Sequence, residues 1–165
     1  MGAGALRPQS WIHDLSRSVM QRCDVLHLVD RPVTRLSGGE QQRVHLARAM
    51  LQLLSAEESC RPGLMLLDEP TASLDLNHQL GTVEMVRDIA KEGAGVLLVL
   101  HDLNLAAMLA AQVVMMRAGK IVARGRPEEI IRDDVMREVF AVTNAVGVVP
   151  AASTPFVLPQ SMRLK

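Results

Sequence analysis

Apolar and polar residues follow two different periods along this chain, and the switches between them mark out its elements. Across residues 10–29, Trp11, Leu15, Val19, Leu26 and Val29 recur at roughly helical spacing, which predicts one amphipathic helix or two. Asp30-Arg31-Pro32 breaks that stretch. Ser37 and Glu40 then stand in the S-x-x-E spacing of a capping box. Ala47, Met50, Leu51 and Leu54 mark one buried face of the helix that follows. Residues 64–67, Leu-Met-Leu-Leu, form a short continuous apolar run, the pattern of a strand buried on both faces. A helix over residues 76–91 turns Leu80, Val83, Val86 and Ile89 inward. Gly93-Ala94-Gly95 leads into a second such strand, residues 96–100, and a short helix covers residues 103–111.

The remainder alternates more quickly. Residues 113–117 and 120–124 flank Ala118-Gly119 and read as a β-hairpin. Pro127 opens an acidic-first helix, Glu128-Glu129-Ile130-Ile131, at a position where proline suits the first turn. Another short helix spans residues 134–140, and the tail after Val142, with Pro150, Pro155 and Pro159, is extended. Residues 1–9, with Gly2, Gly4 and Pro8, read as a loose start. Strand, helix, strand, helix, with polar residues at the C-terminal ends of the strands, is an α/β pattern built on a parallel sheet.

Composition narrows the function classes. The 165 residues carry 18 Lys plus Arg against 18 Asp plus Glu, a balance that argues against a general nucleic-acid binder. Aromatic residues make up only 2%, namely Trp11, Phe140 and Phe156, too few for a base-stacking single-strand binder. The longest nearly apolar runs fall well short of the ~20 residues that span a bilayer, so a link to a membrane goes through a partner. Cys23 and Cys60 are too few for a disulfide framework or a four-ligand zinc site. They fit a reducing compartment, each as a small buried hydrophobe.

Two blocks carry chemistry. In Leu36-Ser37-Gly38-Gly39-Glu40-Gln41-Gln42-Arg43, small residues and a hydroxyl sit at the first turn of a capped helix. Free amides and the helix dipole there suit a phosphate, and the glycines allow close approach. Ser-Gly-Gly-Glu alone fits a plain capping box with a glycine turn equally well. The second block adds Asp68-Glu69 at the carboxyl end of a strand, where open α/β sheets bind ligands. One carboxylate there can hold Mg²⁺ while the next orients or deprotonates a water. By itself an Asp-Glu pair is usually surface charge, and a single histidine such as His101 is usually structural or solvated.

In this order the blocks resemble the ATP-binding cassette (ABC) transporter ATPases. Leu36-Ser37-Gly38-Gly39-Glu40 matches the signature motif, and residues 64–69 match the Walker B strand with its catalytic glutamate. Ser73-Leu74-Asp75 matches the D-loop, and His101 the switch histidine. Within the family, Leu46-Ala47-Arg48, His78-Gln79 and His101-Asp102-Leu103-Asn104-Leu105-Ala106-Ala107 are similar to the branch importing haem, siderophores and vitamin B12. Gly125-Arg126-Pro127-Glu128-Glu129 and the tail from Pro155 to Gln160 lean toward its haem (hemin) members.

The resemblance implies a partial ABC-ATPase fold, a parallel sheet with flanking helices plus part of the helical subdomain. Residues 1–35 would be a remnant of that subdomain. Residues 36–126 would be the signature, Walker B, D-loop and switch-histidine portion, and residues 127–165 C-terminal helices and an extended tail. Asp68 would help hold Mg²⁺ through water, Glu69 would polarise the attacking water, and His101 would contact the γ-phosphate. Ser37, Gly38, Gly39 and Glu40 would meet a nucleotide held by a second ATPase subunit in a head-to-tail dimer. Ser73, Leu74 and Asp75 would lie at that interface. ATP and Mg²⁺, transmembrane permease subunits and a peripheral place on the cytoplasmic membrane face complete the picture.

The family's Walker A loop has no match in these 165 residues, and its adenine-stacking aromatic loop and glutamine loop find no place in them either. The Walker A loop reads G-x-x-x-x-G-K-[ST], and its amides and lysine cradle the phosphates. Among Lys91, Lys120 and Lys165 only Lys120 follows a glycine, and Ile121 comes next. The chain therefore resembles the C-terminal portion of such an ATPase and is expected to be inactive alone. Two other readings stay open: a non-enzymatic module that pairs with an intact ABC ATPase, and an unrelated α/β domain with a simple metal site at Asp68-Glu69. Missing neighbour strands would also leave apolar faces of both central strands uncovered.

Overall fold

A computed structural model describes residues 8–55, 63–143 and 146–162. They fall into two compact units that divide between Leu100 and His101.

The first unit opens with α1 (Gln9–Arg22), which starts directly after Pro8. The helix stops short of the periodic pattern because Asp24 takes a positive φ of 52°, a conformation that cannot continue a right-handed helix. The chain then passes through single 3₁₀ turns at Leu26–Leu28 and, after Pro32, at Val33–Arg35. Helix α2 (Gly38–Ser55) follows the capping box. Strand β1 (Leu64–Asp68) leads through a turn to α3 (Leu76–Lys91), which Asp75 caps. Strand β2 (Gly95–Val99) then lies parallel to β1, with Leu64 opposite Gly95 and Asp68 opposite Val99. The helix between the strands is the crossover that parallel neighbours require.

The core of this unit lies between α1, α2, α3 and one face of the two-stranded sheet. Val19, Cys23, Val25, Leu28, Leu46, Ala47, Met50, Met65, Met85 and Ile89 are buried there, with Leu67 and Val96 packed against them. Leu46 joins Ala47 and Met50 on the inner face of α2, while Leu51 is only half-buried.

The expectation of strands buried on both faces is not met. Met65 is 3% exposed, whereas Leu64, Leu66, Leu97 and Val99 are 67%, 64%, 61% and 50% exposed. Side chains alternate across a strand, and among the described residues only one face of the sheet has a layer packed on it. The sequence run is continuous and apolar because both faces are written for burial; this structure covers one of them.

The second unit begins with α4 (Leu103–Leu109), capped by Asp102, whose Oδ1 accepts from the amides of Asn104 at 2.7 Å and Leu105 at 3.2 Å. The predicted hairpin is present as antiparallel β3 (Val113–Arg117) and β4 (Lys120–Gly125), with an irregularity between Met115 and Met116. Ala118 and Gly119 both have positive φ, 49° and 75°, as a two-residue hairpin turn of the primed type demands. Helices α5 (Pro127–Ile130) and α6 (Asp133–Phe140) follow. Val113, Met115, Ile130, Val135 and Met136 form the buried centre. The tail is mostly irregular, but Pro159–Ser161 forms a 3₁₀ turn against α4, where the Gln160 amide donates to Asn104 Oδ1 at 2.9 Å.

Candidate functional site

The Ser-Gly-Gly-Glu turn is built as its spacing predicts. Ser37 N–H donates to Glu40 Oε2 at 2.7 Å, and Glu40 N–H donates to Ser37 Oγ at 3.3 Å. The Gln41 side-chain amide closes the turn from behind by donating to Leu36 O at 2.9 Å. These donors, first the Ser37 amide and then its hydroxyl, hold the Glu40 carboxyl below the usual carboxylate range. Gly38 and Gly39 are the first residues of α2, so their amide hydrogens have no helical carbonyl to reach. Ser37 Oγ accepts from the Glu40 amide while its hydrogen serves the Glu40 carboxylate. The turn is exposed and carries the positive end of an 18-residue helix.

The turn between β1 and α3 packs on this site. A Cβ on Gly39 would lie 2.9 Å from Ser73 O and 3.6 Å from the Leu74 side chain; one on Gly38 would lie 3.8 Å from Ser73 Cβ. The glycine at position 39 is therefore required by packing as well as by the open turn. Two residues in the connecting turn, Glu69 and Ser73, have positive φ of 48° and 60°. That conformation is sparsely populated for residues with a Cβ and costs on the order of 1–3 kcal/mol. It is held by a lattice of hydrogen bonds. Glu69 N–H donates to Val99 O at 3.0 Å, Ala72 N–H to Glu69 O at 3.0 Å, and the Gln42 side chain to Glu69 O at 2.9 Å.

Gln42 thus ties the signature helix to the residue after β1, a role its polar type at the second turn of α2 does not announce. Asp68 ends β1 exposed, Glu69 beside it is half-buried, and Pro70 and Thr71 are buried. A cavity of about 320 Å³ lies between α2 and this strand end, lined by Gln42, His45, Leu66, Asp68 and Pro70 among others.

Asp75 does two jobs. Its Oδ1 accepts from the His78 amide at 2.9 Å and lies 2.8 Å from the His78 ring Nδ1. Those two contacts, the backbone one foremost, hold the Asp75 carboxyl below its ordinary range. The other ring nitrogen of His78 is 3.4 Å from Asp24 Oδ2. The chain at the end of α1 is in this way joined to the start of α3. The Asp-x-x-His spacing at positions 75 and 78 is the sequence signal for this cap.

The structure therefore gathers Ser37, Gly38, Gly39, Glu40, Ser73, Leu74 and Asp75 with Asp68 and Glu69 in one unit. His101 opens the other unit, exposed, one residue before the α4 cap. Cys23 is buried, its thiol 3.7 Å from both Met50 Sδ and Met85 Sδ, and burial pushes that thiol up to about 11. Cys60 lies outside the described residues.

Residues 9–72 match the family model described as ABC transporter. The hemin import ATP-binding protein HmuV of Rhizobium meliloti (strain 1021) is 44% identical over 147 residues, which are 89% of this chain and 56% of that protein. The HmuV of Nitrobacter winogradskyi is 43% identical over 163 residues, 99% of this chain and 60% of that protein. Over these residues the chain is similar to ABC transporter ATP-binding proteins. It spans a little over half the length of these curated relatives. Solved ABC proteins share the fold: a metal-chelate type ABC transporter in an inward-facing conformation has a TM-score of 0.65 at 24% identity, covering 86% of this chain and 53% of that one. An ATP-binding cassette in its ADP conformation has a TM-score of 0.63 at 20% identity, covering 85% of this chain and 53% of that one. Among the described residues no helix is long and apolar enough to cross a membrane.

Proposed function

We propose that this chain serves in the nucleotide-binding part of an ABC importer for hemin or a related iron chelate, contributing the signature half of a composite ATP site. The observation that carries this reading is the packing of the Gly38-Gly39 turn on Ser73, with Gln42 bonded to Glu69 O. It presents an anion-seeking helix end and an interface turn as one rigid surface. In this reading Ser37, Gly38 and Gly39 donate to the γ-phosphate of a nucleotide held by a second subunit, with Glu40 fixing the turn. Ser73, Leu74 and Asp75 lie along the dimer interface. The cargo and the peripheral, cytoplasmic-face location follow from the named relatives and their permease partners.

Asp68 and Glu69 fit the oxygen chemistry of Mg²⁺, which takes one or two carboxylates and completes its shell with phosphate oxygens and water. When bound, the ion neutralises charge on the transferred phosphoryl group. Asp68, exposed at the strand end, would hold it through water. Glu69, fixed at its backbone on both the N–H and the carbonyl, would orient and polarise the attacking water. His101 would contact the γ-phosphate and stabilise charge that develops there.

The 165 residues contain no G-x-x-x-x-G-K-[ST] loop, so as a separate polypeptide the chain should turn over little ATP. The same fact favours a second reading, a non-enzymatic module that completes or blocks one site of an intact ABC ATPase. The test mixes the chain with a full-length relative whose own signature serine is replaced by arginine. Restored ATP hydrolysis supports the first reading, and association without hydrolysis the second. Failure to associate at micromolar concentration overturns both.

A further inference from the structure

A second polar cavity lies away from the signature turn, at the junction of α1, α2 and α3. It has a volume of about 180 Å³, and Arg22, Asp24, Arg43, Asn77 and His78 contribute to its lining, with Cys23 and Met85 at its base. The lining holds two guanidinium groups against one carboxylate, with Glu40 and Asp75 in electrostatic reach of Arg43 but outside the lining. Neither Arg22 nor Arg43 has a hydrogen-bond or ion-pair partner among the described residues, and Arg43 Nε is buried without an acceptor. The only carboxylate in the lining, Asp24, is already engaged, lying 3.8 Å from His27 Nδ1 and 3.4 Å from His78 Nε2. Thr82, also in the lining, donates its hydroxyl hydrogen to His78 O at 2.9 Å and so adds no donor. Asn77 offers a side-chain amide with no acceptor among the described residues. The positive field reaches the cavity base, where both arginines pull the Cys23 thiol downward against the larger effect of burial.

We infer that this cavity binds a small oxyanion of phosphate type, held by the two guanidinium groups of Arg22 and Arg43 with the Asn77 amide as a further donor. Planar guanidinium forks match tetrahedral oxyanions in charge and geometry, and a buried guanidinium N–H without an acceptor is costly. The site is built from α1, the second turn of α2 and the first turn of α3. It does not rest on the functional reading above. Its occupant would bear on the Asp24–His78–Asp75 chain, and through it on the turn that holds Ser73.

The test titrates the full 165-residue chain with inorganic phosphate at fixed ionic strength, against sodium chloride as control, following amide resonances and thermal midpoint. We expect saturable binding with the largest shifts at residues 22, 43 and 77, and a loss of about tenfold or more in affinity for Arg22→Gln. Arg22 is exposed at the end of α1, so this variant should keep the fold. An ADP arm identifies the source: affinity well above that of phosphate, with the same residues shifting, assigns the oxyanion to a nucleotide, and equal or weaker affinity assigns it to the free ion. A phosphate effect no greater than that of chloride overturns the proposal. So does binding that Arg22→Gln leaves unchanged, which would place the anion at the α2 turn instead.

Discussion

Gly39 faces the carbonyl oxygen of Ser73 so closely that a β-carbon added to it would stand 2.9 Å from that oxygen. Backbone cannot give way as a flexible side chain does, so Gly39→Ala must either separate the α2 turn from the turn after β1 or strain both. Overpacking of this kind costs about 1–3 kcal/mol. Gly38→Ala meets only ordinary contacts at 3.8 Å and beyond, and should cost less in stability. Paired urea titrations check this; equal midpoints for the two variants would show that the contact does not constrain the fold.

The two caps make stability depend on acid. Glu40 and Asp75 both have carboxyls held below their ordinary range by amide and side-chain donors. A depressed folded value means the stabilisation is present above the unfolded value and is lost as pH falls through the folded one. The thermal midpoint should therefore hold near neutrality and fall below roughly pH 4. Asp75→Asn keeps a capping oxygen while removing the charge, and should flatten part of that decline. A decline identical to that of the parent would remove Asp75 as a contributor.

Cys23 should be inert while the chain is folded. The residue is 3% exposed and its thiol is pushed up to about 11 by burial, so at pH 8 the reactive thiolate is scarce. Site-resolved mass spectrometry after brief iodoacetamide treatment should find Cys23 unmodified without denaturant and modified in urea. Rapid labelling under native conditions would contradict the packing of Cys23 on Met50 and Met85.

The open face of the β1–β2 sheet should govern solubility. Leu64, Leu66, Leu97 and Val99 form an apolar stripe with nothing packed on it among the described residues, and such stripes promote association. Leu66→Lys should reduce self-association of the 165-residue chain in sedimentation. Its effect on the urea midpoint should be small, within about 0.5 kcal/mol, as at other exposed positions. Loss of cooperative unfolding in that variant would mean the face is packed after all.

The elements themselves were readable from pattern because their causes are local. The α3 boundaries follow from Asp75 at the cap and Gly93 beyond the end, and the hairpin follows from Ala118-Gly119. The signature turn was legible down to its reciprocal hydrogen bonds, since S-x-x-E spacing places those atoms whatever lies around them. Of the two expectations for the central strands, burial on both faces failed, and an uncovered apolar face was met by exposed Leu64, Leu66, Leu97 and Val99 on these strands. Their composition records two faces fit for burial, but composition does not say what supplies the second layer.

By itself, then, the sequence determined the order of elements, the parallel α/β class and the family motifs, all of which arise from periodicity and short spacing. Only the tertiary structure decided how those motifs meet. Gly39 on Ser73, Gln42 on Glu69 O, His78 between Asp75 and Asp24, and the unpaired arginines at 22 and 43 all join segments 21 or more residues apart or on separate elements. Such contacts depend on how helices and strands pack in three dimensions, where small differences in approach select one partner over another, and no local spacing encodes that choice.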